Sequence, residues 1–470
     1  MAAIGRKTDT WGSRFGFIMA AVGSSVGLGN FWRFPYTAGE NGGGAFIIIY
    51  LVCVTLIGLP LLMAEYSLGR KSGRSAIEGV ETLASEQSKS GNWGIVGWVG
   101  SLTAFFILTF YMVISVWLIA FLMQAPTGKF EGLDAASSAA NFMDTIGQGE
   151  NGDSQKWVIL GLLALFLFAN ILVVGRGVKG GLERAATILM PAFFIMLLVV
   201  VGFAVSRGDF GATADFLFTP KWEDVGFKTF LSALGQAFFS IGVGVGLMIT
   251  YGAYLSRDTD ISRSSGLIVG ADTFVALIAG FAVFPIVFLV GLDPASGPGL
   301  FFISMPVAFG EMGGAGTIMA TVFFALALFA AFTSSISLME VGVSWLEERQ
   351  GVTRFGASLG VGFVLWVIGA AYVYSLEYLD FVDFLTEGLL LPLGGLLVAI
   401  FAGWVLQRDT LESELGTGQV MRAWRFLIRW FVPIFVSFVL VFGFLDKIQD
   451  TYSVQLPGLL TGLLGENAPQ

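Results

Sequence analysis

The chain has 470 residues, of which 55% are hydrophobic and only 13% are charged, and its formal net charge is −9. With a mean hydropathy of +0.80, a soluble protein of this length could not cover its apolar surface, so a water-soluble fold is excluded. Histidine is absent, which rules out an imidazole proton relay, and the single Cys53, set in an apolar run, rules out a disulfide framework.

The apolar residues fall into runs that approach or exceed the ~20 residues a helix needs to cross hydrocarbon. In chain order they are Phe15 to Ala38, Phe46 to Leu68, Trp98 to Met123, Trp157 to Val174, Ala185 to Val205, and Phe230 to Leu255. Gly266 to Leu292, Thr317 to Trp345, Ala357 to Tyr374, Val382 to Leu406 and Trp424 to Phe444 follow, so eleven spans are expected. The first run is not read as a cleaved leader, because it lacks a small-residue cleavage site and carries Asn30 and Arg33. The tail from Asp446 to Gln470 is too polar and broken to add a twelfth span. Arginine and lysine recur after even-numbered spans, as in Arg70, Lys71 and Arg74, then Arg176, Lys179 and Arg184, and later Arg408, Arg422 and Arg425. With Arg6, Lys7 and Arg14 at the start, the N-terminus is expected in the cytoplasm and the C-terminus outside.

Two spans contain glycine clusters that a continuous membrane helix avoids. The first reads Gly23-Ser24-Ser25-Val26-Gly27-Leu28-Gly29-Asn30, and the sixth reads Ser240-Ile241-Gly242-Val243-Gly244-Val245-Gly246. A single cluster is explained by a small-residue packing seam, which the Gly242–Gly246 spacing fits. Two clusters five spans apart point instead to unwound backbone lining a central site, in two inverted halves. The expected units are residues 1–206 (spans one to five, broken near 24–29), a connection over 207–229, residues 230–407 (spans six to ten, broken near 240–246), and 408–470. Span eight adds Thr333-Ser334-Ser335, hydroxyls that bond either the preceding turn or a hard cation. Span seven carries Asp272, an intramembrane carboxylate unless it lies at the interface.

The segment GSSVGLGNFWRFP from Gly23 to Pro35, followed by Glu40-Asn41-Gly42-Gly43-Gly44-Ala45-Phe46, closely resembles the first span of the neurotransmitter:sodium symporters. The resemblance continues in Gly180-Gly181-Leu182-Glu183-Arg184, in Gly235-Gln236-Ala237-Phe238-Phe239-Ser240 and in Phe332-Thr333-Ser334-Ser335, and the eleven-span count fits a bacterial, leucine-transporter-like subset. It implies an all-α, leucine-transporter-like inverted repeat plus one extra helix, and no enzyme. It also implies sodium-coupled uptake of amino acids or related amines by alternating access.

Site roles follow from the same resemblance. One sodium site would use Ser25, Asn30, Ser240 and Asp272; a second would use Gly23, Val26, Ala330, Thr333 and Ser334. Substrate would meet Ser24, Ser25, Gly27, Gly29, Ile107, Tyr111, Phe239, Ser240, Gly242, Val245, Ser334 and Leu338, with Tyr111 and the helix start near Gly27 to Gly29 facing its carboxylate. Arg33 and Asp380 would form the outer gate, and Trp11, Tyr254 and Glu348 the inner one. The family's basic residue before the tryptophan is Thr8 here, leaving Arg6 or Lys7 as the partner of Glu348. Three positions that bind chloride in chloride-dependent relatives are kept as Tyr50, Gln236 and Ser240, while the fourth is Ala276 and Asp272 replaces an asparagine.

The reading is therefore a multi-pass transporter of the cytoplasmic (inner) membrane. It takes up a neutral, bulky apolar or aromatic L-amino acid with sodium and without chloride. It needs the bilayer but no organic cofactor, nucleic acid or obligatory protein partner. A proton-coupled amino-acid or amine carrier on the same fold, with Asp272 titrating, is the alternative. A channel would show a repeated filter segment, and an intramembrane enzyme a nucleophile–base or paired-carboxylate arrangement; neither pattern stands out.

Overall fold

The computed structural model describes residues 9–150, 152–294 and 299–452, with side chains given up to residue 443 and at residue 445. The candidate spans are α1 Arg14–Ser25, α2 Gly29–Glu40, α3 Gly44–Ser72, α4 Gly91–Thr127, α5 Gly152–Val174 and α6 Val178–Arg207. They continue with α7 Phe227–Ile241, α8 Leu247–Ala253, α9 Ile261–Leu289, α10 Gly313–Gln350, α11 Arg354–Tyr374 and α12 Leu376–Val405. A short α13, Arg408–Leu415, leads into α14, Gln419–Gly443. Among the described residues nine helices are long and apolar enough to cross a membrane, and ten if the bent pair α1–α2 counts as one. The expected eleven is reached only if α7 and α8, too short to qualify separately, also form one crossing.

The first span breaks where its glycines lie. Ser13 caps α1 by accepting the Gly16 N–H, and the helix runs out at Val26, whose backbone turns extended. After Val26 to Leu28 the chain resumes as α2, bent by 47°. The break between α7 and α8 is sharper. Gly242, Gly244 and Gly246 have φ of +71°, +83° and +68°, a region that β-carbons disfavour.

Close packing holds this second break in place. A β-carbon on Gly100 of α4 would lie 2.8 Å from the Gly246 nitrogen, and one on Gly394 of α12 would lie 2.0 Å from the Gly244 oxygen. Glu65 of α3 is fully buried, and its Oε1 accepts the Gly244 N–H at 2.6 Å. The N–H groups of Met248 and Ile249, at the start of α8, also face this carboxylate. An anion at a helix N-terminus is well placed to satisfy donors that unwinding leaves without partners. Helix α10, the longest at 38 residues, packs against α1, α4 and α6 and brings its hydroxyl run to the first break.

Candidate functional site

At the two breaks, side chains from three spans converge on one buried polar cluster. Asn30 Nδ2 donates to Ser240 Oγ at 2.8 Å and to Asp272 Oδ1 at 2.7 Å. Ser240 Oγ donates to the other Asp272 oxygen at 2.7 Å. Asn30 Oδ1 accepts the Gly27 N–H at 3.0 Å, and Ser25 Oγ donates to the Ile241 carbonyl at 3.1 Å. Asp272 and Asn30 are fully buried within the protein. Ser25, Asn30, Ser240 and Asp272 are thus neighbours, and their oxygens are the ligand type a hard cation takes.

Tyr50 and Gln236 stand behind this cluster. Tyr50 OH lies 3.5 Å from Ser240 Oγ, and Gln236 Nε2 donates to the Gly29 carbonyl at 2.8 Å. Ala276 is buried and contributes no hydroxyl.

The second group of oxygens lies where α10 crosses α1. Thr333 Oγ1 donates to the Ala330 carbonyl at 3.1 Å. Ser334 Oγ contacts the Gly23 carbonyl at 3.4 Å and the Ser24 carbonyl at 3.2 Å. A β-carbon on Gly23 would lie 3.3 Å from the Thr333 β-carbon, so this glycine lets the two helices meet. Val26 caps the C-terminal end of α1, its N–H donating to the Val22 carbonyl.

A cavity of ≈ 40 Å³ adjoins both groups and is lined by Ser24, Ser25, Gly27, Gly29, Ile107, Tyr111, Phe239, Gly242, Val245, Ser334 and Leu338. All were expected from sequence; Leu28, Leu247 and Leu391 are additions. Ser240, also expected, is not among the lining residues; its hydroxyl bonds Asn30 and Asp272. Tyr111 OH accepts the Leu28 N–H at 3.3 Å, which puts the phenol at the first break.

Above Phe239 lies a larger cavity of ≈ 300 Å³ that also reaches Leu28, Tyr111, Arg33, Asp380, Asp383 and Glu387. The Arg33 guanidinium sits 5.0 Å from the Phe239 ring centroid and forms an ion pair with Glu387. Glu387 was not singled out from sequence, which offered Asp380; both carboxylates line this cavity. The π-helical turn Thr386–Leu390 re-aims Glu387, a shift that 3.6-residue periodicity does not show.

The opposite face is closed by a thicker layer. Trp11 packs on Tyr251 and Tyr254, with ring centroids at 5.0 and 6.1 Å, and its Nε1–H donates to the Tyr251 carbonyl at 3.2 Å. Tyr254 OH donates to the fully buried Glu340, which is paired with Arg354. Arg354 also lies 3.6 Å from Asp9. Glu348 pairs instead with Arg74 at 3.4 Å and accepts the Ser75 N–H at 2.8 Å. The expected partners of Glu348, Arg6 and Lys7, lie outside the described residues. Glu340 was missed, although a carboxylate seven residues after Thr333 in an apolar run was a signal.

Two broken spans around a buried oxygen-rich site, closed by separate layers on either side, define a membrane transporter. The chain belongs to the sodium:neurotransmitter symporter family, which matches residues 8–141 and 145–458. It is 32% identical over 450 residues to an uncharacterized sodium-dependent transporter, YhdH, of Bacillus subtilis, covering 92% of this chain and 97% of that protein. A second uncharacterized sodium-dependent transporter, from Haemophilus influenzae, is 31% identical over 460 residues, covering 94% and 99%. The fold matches a crystal structure of MhsT in complex with L-phenylalanine, with a TM-score of 0.84, 34% identity, and coverage of 93% and 99%.

Proposed function

We propose that this protein takes up a neutral amino acid, preferably bulky and apolar or aromatic, by symport with sodium and without chloride. The observation that carries the reading is the position of Asp272, buried beside Asn30 and Ser240 at the break that borders the cavity. A fixed carboxylate there gives a sodium ion a counter-charge without a mobile anion. The Tyr50–Gln236–Ser240 positions remain, but Ala276 supplies no hydroxyl to complete a chloride shell. Thr333, Ser334, Ala330, Gly23 and Val26 form the second sodium site in this reading.

The substrate's head is set by Gly27. A β-carbon there would lie 2.5 Å from Ser334 Oγ and 3.0 Å from Tyr111 OH. An acidic side chain able to pair an amine does not fit, whereas a carboxylate reaches the Tyr111 hydroxyl and the backbone of the break. The cocrystal of MhsT with L-phenylalanine supports an amino-acid substrate. At ≈ 40 Å³ the cavity holds about one water, so an aromatic side chain enters only if Phe239 and its neighbours move. Alternating access then consists of opening the Arg33–Glu387 layer or the Trp11–Tyr254–Glu340 layer in turn. Residues 1–206 and 230–407 act as the two inverted halves, with the Trp11 face in the cytoplasm and the C-terminus outside.

Purified protein in liposomes tests the reading. An inward sodium gradient should drive uptake of phenylalanine, tyrosine, tryptophan or leucine, unchanged when gluconate replaces chloride on both sides. Tyramine should not compete with tyrosine. Asp272→Asn should abolish chloride-free uptake. Uptake driven by a pH gradient without sodium would favour the proton-coupled alternative, and loss of transport in gluconate would overturn chloride independence.

A further inference from the structure

A basic and aromatic cluster lies away from the transport path, where the ends of α12 and α14 meet. Gly403 permits the approach: a β-carbon there would lie 3.1 Å from the Arg429 α-carbon. Trp404 Nε1 donates to the Arg429 carbonyl at 2.8 Å, and the Arg429 guanidinium sits 4.2 Å from the Trp404 ring centroid. Trp430 packs edge-on against Trp404 at 4.7 Å. Arg408 and Arg429 are close enough to Arg425 to repel it, and Arg408 is already paired with Glu412. Neither Arg425 nor Arg429 has an ion-pair partner among the described residues, and the buried Arg429 Nε has no hydrogen-bond acceptor there. Two unpaired guanidinium groups side by side are costly unless an anion joins them.

The position of the cluster says where that anion comes from. Only 17% of the apolar window of α14 is buried in the protein, so this helix faces lipid. Trp404, Phe426, Trp430 and Ile434 are 46%, 61%, 49% and 61% exposed. Exposed tryptophans beside arginines at a span's end mark the headgroup level, and basic pockets between spans bind phospholipid phosphates. We propose that Arg425 and Arg429, framed by Trp404 and Trp430, bind the phosphate of an anionic phospholipid of the leaflet on that face. The bound lipid bridges α12 and α14, joining α14 to the rest of the bundle.

The test is competitive lipid retention on the full-length protein, read by native mass spectrometry from micelles containing equal phosphatidylglycerol and phosphatidylcholine. The unmodified protein should retain phosphatidylglycerol preferentially. Arg425→Gln removes a side chain that makes no hydrogen bond among the described residues and should fold; the preference should fall about fivefold, and further in Arg425→Gln/Arg429→Gln. Arg257→Gln/Arg263→Gln, which removes two exposed arginines from the loop after α8 and the start of α9, should leave it unchanged. No preference in the unmodified protein overturns the proposal, as does an equal loss in the Arg257/Arg263 variant. So does equal displacement of the lipid by inorganic phosphate, which would show a free-anion site.

Discussion

At the scale of single residues, the hydroxyls of Thr333 and Ser334 combine two tasks. Each bonds a backbone carbonyl of α10 or α1, and in the proposed reading each offers an oxygen to a second sodium ion. Thr333→Val with Ser334→Ala keeps the shape and removes both oxygens. A desolvated cation that loses ligands is costly, so the sodium concentration for half-maximal uptake should rise about tenfold or more. Unchanged sodium dependence in a folded double variant would place the second ion elsewhere. Val245 tests the side-chain end of the cavity, which it lines beside Gly242. Val245→Phe fills space a large substrate needs, and each CH₂ excluded there removes about 0.8 kcal/mol. The ratio of alanine to phenylalanine uptake should rise about tenfold, and an unaltered ratio would remove Val245 from the pocket.

At the scale of elements, the broken helices show what can be read locally. Both interruptions were legible as glycine clusters, and both fall where expected, because backbone freedom is a property of the residues themselves. The features that hold them open were not legible. Gly100, Gly394 and Glu65 are 146, 150 and 179 residues from their contacts at Gly246, Gly244 and Gly244. Gly244→Ala is the sharpest test of this arrangement. It places a β-carbon at φ +83°, 2.6 Å from the Leu391 oxygen, and costs about 1–2 kcal/mol from the backbone conformation alone. Thermal unfolding of the purified protein should shift downward and substrate binding should weaken. Gly235→Ala in the middle of α7, where a β-carbon meets nothing within 4 Å, should be tolerated.

Over the whole molecule, the two closing layers must exclude each other's opening for transport to be coupled. One rests on Arg33–Glu387 and the other on Trp11, Tyr254, Glu340 and Arg354. A double-mutant cycle between Arg33→Ala and Glu387→Ala, read in substrate affinity, should show coupling of about 0.5–3 kcal/mol. It should exceed the coupling between Arg33→Ala and Asp380→Ala. Additive effects would mean that the ion pair does not contribute to closure. Glu340→Gln weakens the Trp11 layer and should favour opening toward that face, seen as lower affinity for substrate added from the opposite side.

The sequence alone determined the membrane class, the family, the glycine clusters at which helices break and most, not all, of the residues that line the cavity. Those follow from apolar run length, glycine content and motifs, all of which are local along the chain. Tertiary structure alone decided which charges meet. Arg33 pairs with Glu387 through a π-helical turn, Glu348 with Arg74, and Glu340 with Arg354. Partner choice among buried charges depends on helix rotation and close packing between distant segments, and a change of one residue in a turn redirects a side chain by about 100°.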